Sequence, residues 1–262
     1  MKFLTDMPEP FVGTFEERCA KLVELIKENQ TVFFGGAGVS TASGIPDFRS
    51  ADGLFNKETN SEYKPEYMLS KSCFNHNPKI FYEFYKKSFD LRKFEPNECH
   101  KKLAEMEEKG LLLGIVTQNV DCLHQKAGSK NVVELHGTIA KNYCIRCNQE
   151  FDVNYIFDDK NAIVRCNKCK NHTSYVKPKI VLYEERLENE SLKKANEYIF
   201  DEKTNLLIVG GTSLLVSPAN TYVGDYRGRY LVIINREETP YDKWADIIFR
   251  EDINEVFKNL KF

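Results

Sequence analysis

The chain has 262 residues, enough to bury a sizeable core, and its 42% hydrophobic and 29% charged content excludes a disordered polymer. Its 37 basic against 39 acidic residues leave a net charge of −2, which excludes a global pull toward nucleic acid or anionic lipid. No apolar run approaches a membrane span, and the amino end, MKFLTDMPEP, lacks the pattern of a secretory signal, which together imply a cytoplasmic, reducing compartment.

Phe15, Cys19, Leu22, Val23 and Ile26 recur at helical spacing, which predicts an amphipathic helix over 14–29. A buried strand follows at 31–35 and runs into Gly35-Gly36-Ala37-Gly38, then Ser40, Thr41 and Ser43. Glycines there let bare backbone approach a ligand, and a helix starting at the turn would aim N–H groups and its positive dipole end at a pyrophosphate. Thr41 stands where G-x-G-x-x-G needs its third glycine, and the acid expected about 20 residues on is missing. A phosphate cradle is therefore expected, but not an ordinary dehydrogenase. Beyond it, Gly44-Ile45-Pro46-Asp47-Phe48-Arg49 sets an aromatic and a cation beside the cradle; Arg49 either grips phosphate or pairs with an acid.

Residues 52–96 are rich in aromatics, lysine and turn residues and read as a helical insertion, its longest helix near 78–92. A helix at 97–109 leads to a strand at 111–116, which ends in Gln118-Asn119-Val120-Asp121. A short strand at 131–135 runs into His136-Gly137, and apolar strands recur at 180–183, 206–209, 230–234 and 245–249. Helices are expected at 188–200 and after Asp252, where Glu255 completes a capping box. Alternating strands and helices imply an α/β protein with a doubly wound, mostly parallel sheet. Polar or glycine clusters follow five strands at the same end: Gly36–Ser43, Gln118–Asp121, His136, Gly210–Ser213 and Asn235–Glu237. On one rim they would line a single long crevice, the geometry a dinucleotide needs.

Cys144-x-x-Cys147, eighteen intervening residues, then Cys166-x-x-Cys169 is a zinc-ribbon spacing, and four sulfurs predict a closed, structural site. The lysines and arginine around it are offset by Glu150, Asp152, Asp158 and Asp159, so no direct nucleic-acid contact is expected. His136, at a strand tip before glycine, is either a general base or a histidine that only holds its loop. His124 suits packing or capping. Asn119 and Asp121 either shape a turn or hold an amide and a ribose.

GAGVSTASGIPDFR, TQNVDCLHQKAG, the His136-Gly137 pair, the cysteine ribbon, GTSLLVSPA and Ile234-Asn235-Arg236-Glu237 occur in the order found in sirtuins. From about Val32 to Ile253 the chain resembles that family of NAD-dependent protein deacetylases. The resemblance implies a Rossmann-like doubly wound parallel sheet with a smaller domain made of a zinc ribbon and a helical module. It divides the chain into an NAD-binding domain (1–51, 97–142 and 178–262) and a small domain (helical module 52–96, zinc ribbon 143–177).

It also implies that NAD is consumed as a co-substrate, with one structural zinc: nicotinamide leaves, and the acyl group of a modified lysine passes to ADP-ribose. By resemblance His136 is the base, with Asn119 and Gln118 on the ribose and a water, and Val120 and Asp121 on the carboxamide. Phe48 would cover the nicotinamide. Ala37, Thr41 and Arg49 would face the pyrophosphate, and Thr212, Ser213, Asn235 and Ile253 the adenosine half. Gly36, Gly38, Asp47, Gly211, Arg236 and Glu237 complete the expected cofactor set. Lys179 to Glu185, with Val181, Leu182, Tyr183 and Glu184 at its centre, resembles the strand that pairs with the substrate peptide.

Two departures stand out. Tyr183-Glu184-Glu185 replaces the usual Phe-Gly-Glu, and the added carboxylate implies a tilt toward basic flanks. Tyr85 is followed by Ser88 where desuccinylating members have arginine, which implies acetyl or longer apolar acyl groups. ADP-ribosyl transfer to protein would share the same cleavage of NAD, whereas a non-catalytic acetyl-lysine reader would be indifferent to His136→Ala.

Overall fold

A computed structural model describes residues 9–47, 62–169, 174–215, 217 and 219–262. The first helix, Phe15–Glu28, begins at a capping box in which Thr14 and Glu17 satisfy each other's backbone N–H groups. It delivers the chain to β1 (Gln30–Gly35), followed by β2 (Leu112–Thr117) and β3 (Val132–Glu134). After an excursion through β4 (Gly137–Cys144), β5 (Glu150–Asp152) and β6 (Val176–Ile180), the chain returns in β7 (Thr204–Gly210), β8 (Tyr230–Ile234) and β9 (Ile247–Phe249).

Six strands form one parallel sheet in the order β3-β2-β1-β7-β8-β9. The chain moves outward from β1 on one side, then crosses to β7 and moves outward on the other, so the order reverses between β1 and β7. Alternate residues pack on opposite faces. Phe33, Ile115, Ile208 and Val232 join one apolar cluster with the helices 15–28, 98–108 and 253–259. Val32, Phe34, Val116, Leu207 and Ile233 join another with Ala195, Ile199 and Tyr222. Both faces are covered, which is why these strands are nearly continuous apolar runs. The five predicted clusters therefore do share the carboxyl rim.

A third cluster lies apart from the sheet. Helices Pro65–Met68, Lys71–His76 and Pro78–Phe89 contribute Phe74, Phe81, Tyr82 and Tyr85 to it. The segment around the cysteines contributes Ile139, Ile156, Val164 and Val176. Tyr82 Oη donates to the carbonyls of Val164 (3.1 Å) and Val176 (2.8 Å), fastening the helical insertion to the ribbon. The three-stranded antiparallel sheet β5-β4-β6 belongs to this body.

Two expectations need correction. The glycine turn opens not an α-helix but two 3₁₀ turns, Ala37–Val39 and Thr41–Ser43, ended by Gly44 at φ +90°. A helix dipole is therefore not what the turn offers an anion. The run at 180–183 is not a strand of the parallel sheet either. Its strand is β6, paired antiparallel with β4, and residues 181–183 leave it to bridge the two bodies. A short apolar run carries no mark of its partner's direction.

Candidate active site

The reversal point is built by two glycine turns pressed together. Gly36 N–H donates to Gly210 O (3.1 Å) and Gly38 N–H to Gly211 O (2.9 Å). A Cβ on Gly38 would lie 2.8 Å from Gly211 Cα, and one on Gly211 only 2.5 Å from Val39 N, with Gly211 already left-handed at φ +60°. Only glycine permits that approach.

The tip of β2 is tied to this cradle by side chains. Asn119 Nδ2 donates to Gly36 O and to Ser40 Oγ, each at 3.1 Å. Ser40 Oγ donates to Asp121 Oδ2 at 2.6 Å, and Leu123 N–H reaches Asp121 Oδ1 at 2.9 Å. Burial pushes the Asp121 carboxyl upward, and these two donors oppose that shift. Gln118 Nε2 reaches Thr212 Oγ1 at 3.1 Å, joining the tips of β2 and β7.

His136 follows β3. Its Nδ1 lies 2.8 Å from Gln118 O. A carbonyl can only accept, so Nδ1 carries the hydrogen and Nε2 the lone pair. Burial holds the imidazole below its ordinary pKa, with the Gln118 carbonyl working the other way. At neutral pH the ring is uncharged and Nε2 is a proton acceptor.

The sulfurs of Cys144, Cys147, Cys166 and Cys169 all lie within 4.8 Å of one another. The Cys144–Cys169 and Cys147–Cys166 separations are 3.7 and 3.8 Å. A tetrahedron with Zn–S bonds of ~2.3 Å has edges of ~3.8 Å, so the donor set fits a zinc ion. Arg146 N–H donates to Cys144 Sγ at 3.4 Å, the kind of outer contact that orients a thiolate ligand.

A Sir2 family model matches residues 36–218. The chain belongs to the Sir2 family. It is 48% identical over 236 residues to an NAD-dependent protein deacetylase of Clostridium tetani, covering 90% of this chain and 94% of that protein. The corresponding protein of Clostridium perfringens is 46% identical over 243 residues, covering 92% and 97%. Among solved structures, a Sir2 with a deacetylated p53 peptide and 3′-O-acetyl ADP ribose superposes with a TM-score of 0.82 at 35% identity, covering 92% of this chain and 96% of that one.

Other positions expected of a Sir2 protein divide into several groups. Thr41 Oγ1 donates to Gly38 O (3.0 Å) beside half-buried Ala37, and half-buried Ser213 follows Thr212. On the β8 arm of the rim, Asn235 Nδ2 bonds Glu237 O at 2.9 Å, while Arg236 pairs with Asp252. Ile253 is buried in the core, its Cδ1 2.4 Å from where a Cβ of Gly210 would stand. Val120 O accepts from Ile139 N–H at 3.0 Å. Asp47 is half-buried and ends a described segment; Phe48 and Arg49 lie outside the described residues.

The segment Val181–Glu184 connects the carboxyl rim to the helical insertion. Val181 N–H donates to His136 O (2.8 Å), Tyr183 N–H to Leu69 O (3.1 Å), and Lys71 N–H to Tyr183 O (3.0 Å). Leu182 N–H is held by Glu185 Oε2 at 2.9 Å. Glu184 sits in the left-handed region at φ +71°, where glycine is easier. Its Oε2 accepts from Ser72 N–H (3.0 Å) and Ser72 Oγ (2.6 Å), which fastens it there.

Sequence reasoning missed three supports. Ser40 links Asn119 to Asp121, Thr117 Oγ1 accepts from Asn119 N–H (3.0 Å), and Asn97 Nδ2 holds Val39 O at 2.7 Å. Asn97 Oδ1 also caps the helix 98–108. Ser40 in the glycine turn and Asn97 as an N-cap were visible signals; their cross-chain bonds were not.

Proposed function

We propose that the chain is a cytoplasmic NAD-dependent protein-lysine deacylase, releasing nicotinamide, O-acetyl-ADP-ribose and free lysine. The observation that carries this reading is His136, whose Nδ1–H is fixed on Gln118 O while Nε2 remains a proton acceptor beside the cradle. No helix among the described residues is long and apolar enough to cross a membrane.

A cradle in which added Cβ atoms would collide and a buried Asn119–Ser40–Asp121 network suit an extended dinucleotide with a carboxamide end. Bound NAD supplies a ribose whose nicotinamide can be displaced and which then takes the acyl group. His136 Nε2 receives the proton of a ribose hydroxyl, and its neutral state makes that transfer available at physiological pH. Asn119 and Gln118 orient the ribose side. Asp121, fixed by Ser40 and Leu123 N–H, accepts from the carboxamide, with Val120 beside it. Thr212, Ser213 and Asn235 stand toward the adenosine half. The four cysteines hold zinc in a closed sulfur shell that leaves no position for substrate, so its work is structural.

The substrate reading is acetyl or a longer apolar acyl group on lysine. Tyr85 is fully buried in a stack with Phe81, Phe89 and Phe157, and its hydroxyl has no hydrogen-bond partner among the described residues. No cation stands at Ser88 to receive an acyl carboxylate, which would be costly to bury unpaired. Nicotinamide release from NAD with acetylated, longer-acyl and succinylated peptides tests both parts. Acyl-lysine-dependent release that favours the apolar groups supports the reading; release independent of acyl-lysine, or succinyl turnover equal to acetyl, contradicts it.

A further inference from the structure

His136 at the tip of β3 and the loop that follows β8 lie on the same rim, with β2, β1 and β7 between them. Four strand spacings of ~4.8 Å separate them by about 19 Å, so a cofactor that reacts beside His136 and crosses the glycine cradle runs on toward the β8 tip. Residues 235–241 at that tip contain no helix or strand, and Arg236, Glu237 and Glu238 are exposed. The first half of this loop, Asn235 to Thr239, carries no apolar side chain, so hydrogen bonds set its path.

Most of those bonds meet at Arg250, the residue after β9. Its Nη1 donates to Asn235 O (3.0 Å) and Glu237 O (2.9 Å), and its Nη2 pairs with Asp242. Asp242 in turn accepts from Thr239 N–H (3.1 Å) and Thr239 Oγ1 (2.7 Å). Asn235 Nδ2 closes the inner side on Glu237 O at 2.9 Å, and Asn235 N–H donates to Phe249 O at 3.0 Å. One planar cation thus fixes both ends of the loop against the last strand. A guanidinium suits this because its donors form a rigid fork and its charge does not titrate; an ammonium would offer the charge without the fork. The Asp242 side chain is only 18% exposed and engages Arg250 inside the chain, so this cation is committed to the loop rather than free for a ligand's phosphate.

We propose that Arg250 is a positioning residue for the cofactor: by clamping residues 235–242 it presets the β8 arm of the rim for the half of NAD remote from nicotinamide. The inference rests on the deacylase reading above, in which Asn235 stands toward that half. Ordering the loop before the cofactor arrives removes an entropic cost from binding, so the clamp acts on NAD affinity and not on the chemical step beside His136.

The test compares the native chain with Arg250→Met, Arg250→Lys and Asp242→Asn, by calorimetry of ADP-ribose binding and by kinetics with NAD and an acetyl-lysine peptide. In Arg250→Met the ADP-ribose dissociation constant and the KM for NAD are expected to rise together by about fivefold to twentyfold, with kcat and the KM for peptide unchanged. Arg250→Lys should recover part of the loss, and Asp242→Asn should show a smaller loss in the same direction. If Arg250→Met fails to fold, the two milder variants carry the test. Unchanged ADP-ribose affinity in the folded variants, or kcat and peptide KM worsening as much as the KM for NAD, overturns the positioning role alone. A native chain that binds ADP-ribose but releases no nicotinamide in response to acetyl-lysine overturns the deacylase reading, and the calorimetric comparison then still decides the clamp; a native chain that does not bind ADP-ribose overturns both.

Discussion

At the scale of single residues, burial keeps imidazoles neutral in two places, with different consequences. His136 must keep Nε2 free: burial holds the ring neutral against the opposing pull of Gln118 O, and that carbonyl fixes the hydrogen on Nδ1. Activity should therefore fall as pH drops through a value below the ordinary imidazole range, and stay flat from neutral into mildly alkaline solution. His136→Ala should cost about 10²–10⁴ in kcat with little change in melting temperature. A rate that rises on acidification would contradict the assignment. His100 and His124 lie with their rings 4.7 Å apart in the core, and Nε2 of His100 and both nitrogens of His124 have no hydrogen-bond partner among the described residues. Burial pushes His100 down to about 4 and His124 well below its usual value. The unfolded chain takes up protons near pH 6.5 while the folded one does not, so stability holds above that value and declines from there toward pH 4. For His100 alone the loss approaches about 3 kcal/mol at the acid end. Urea midpoints at pH 7.5 and pH 5 should differ in the native chain and less in His124→Phe; identical midpoints in the native chain would refute the point.

Among the elements, the ribbon depends most on something besides its own side chains. Its apolar residues are shared with the helical insertion, so both modules stand or fall on one small cluster and on the zinc that four sulfurs enclose. Chelation, or Cys166→Ser, is expected to unfold this body and abolish peptide binding while the parallel sheet survives. The only tryptophan, Trp244, packs with Tyr241 against the far end of that sheet and serves as a local reporter. Far-UV circular dichroism should therefore change with Trp244 fluorescence unaltered; concerted loss of both signals would show that the bodies do not unfold separately. The helices and parallel strands were readable because each is a long periodic or continuous apolar run with a glycine or polar stop. The 3₁₀ turns after β1 were not, since Gly44 and Pro46 cut short a pattern that begins like a helix. Nor was the bridging role of Val181–Glu184, whose partners Leu69 and His136 lie far away in sequence.

For the whole molecule, the alternation of strands and helices was sufficient to put five functional clusters on one rim, and the β1–β7 reversal point follows from it. Roles for individual residues came from the resemblance, because spacing alone left His136 and Asn119 open between chemistry and loop support. The supporting network of Ser40, Thr117 and Asn97 was not legible, because its bonds join residues far apart in the chain. Taken together, the neutral imidazole of His136 and the glycine cradle share the carboxyl rim of one parallel sheet, linked through Gln118, as the proposed acyl transfer requires. The most direct test is mass spectrometry of an acetyl-lysine peptide incubated with the zinc-loaded chain and NAD. Loss of the acetyl group with one nicotinamide and one O-acetyl-ADP-ribose formed per lysine, abolished in His136→Ala, is the predicted result. An unchanged peptide, with ADP-ribose mass gained on protein instead, would contradict it.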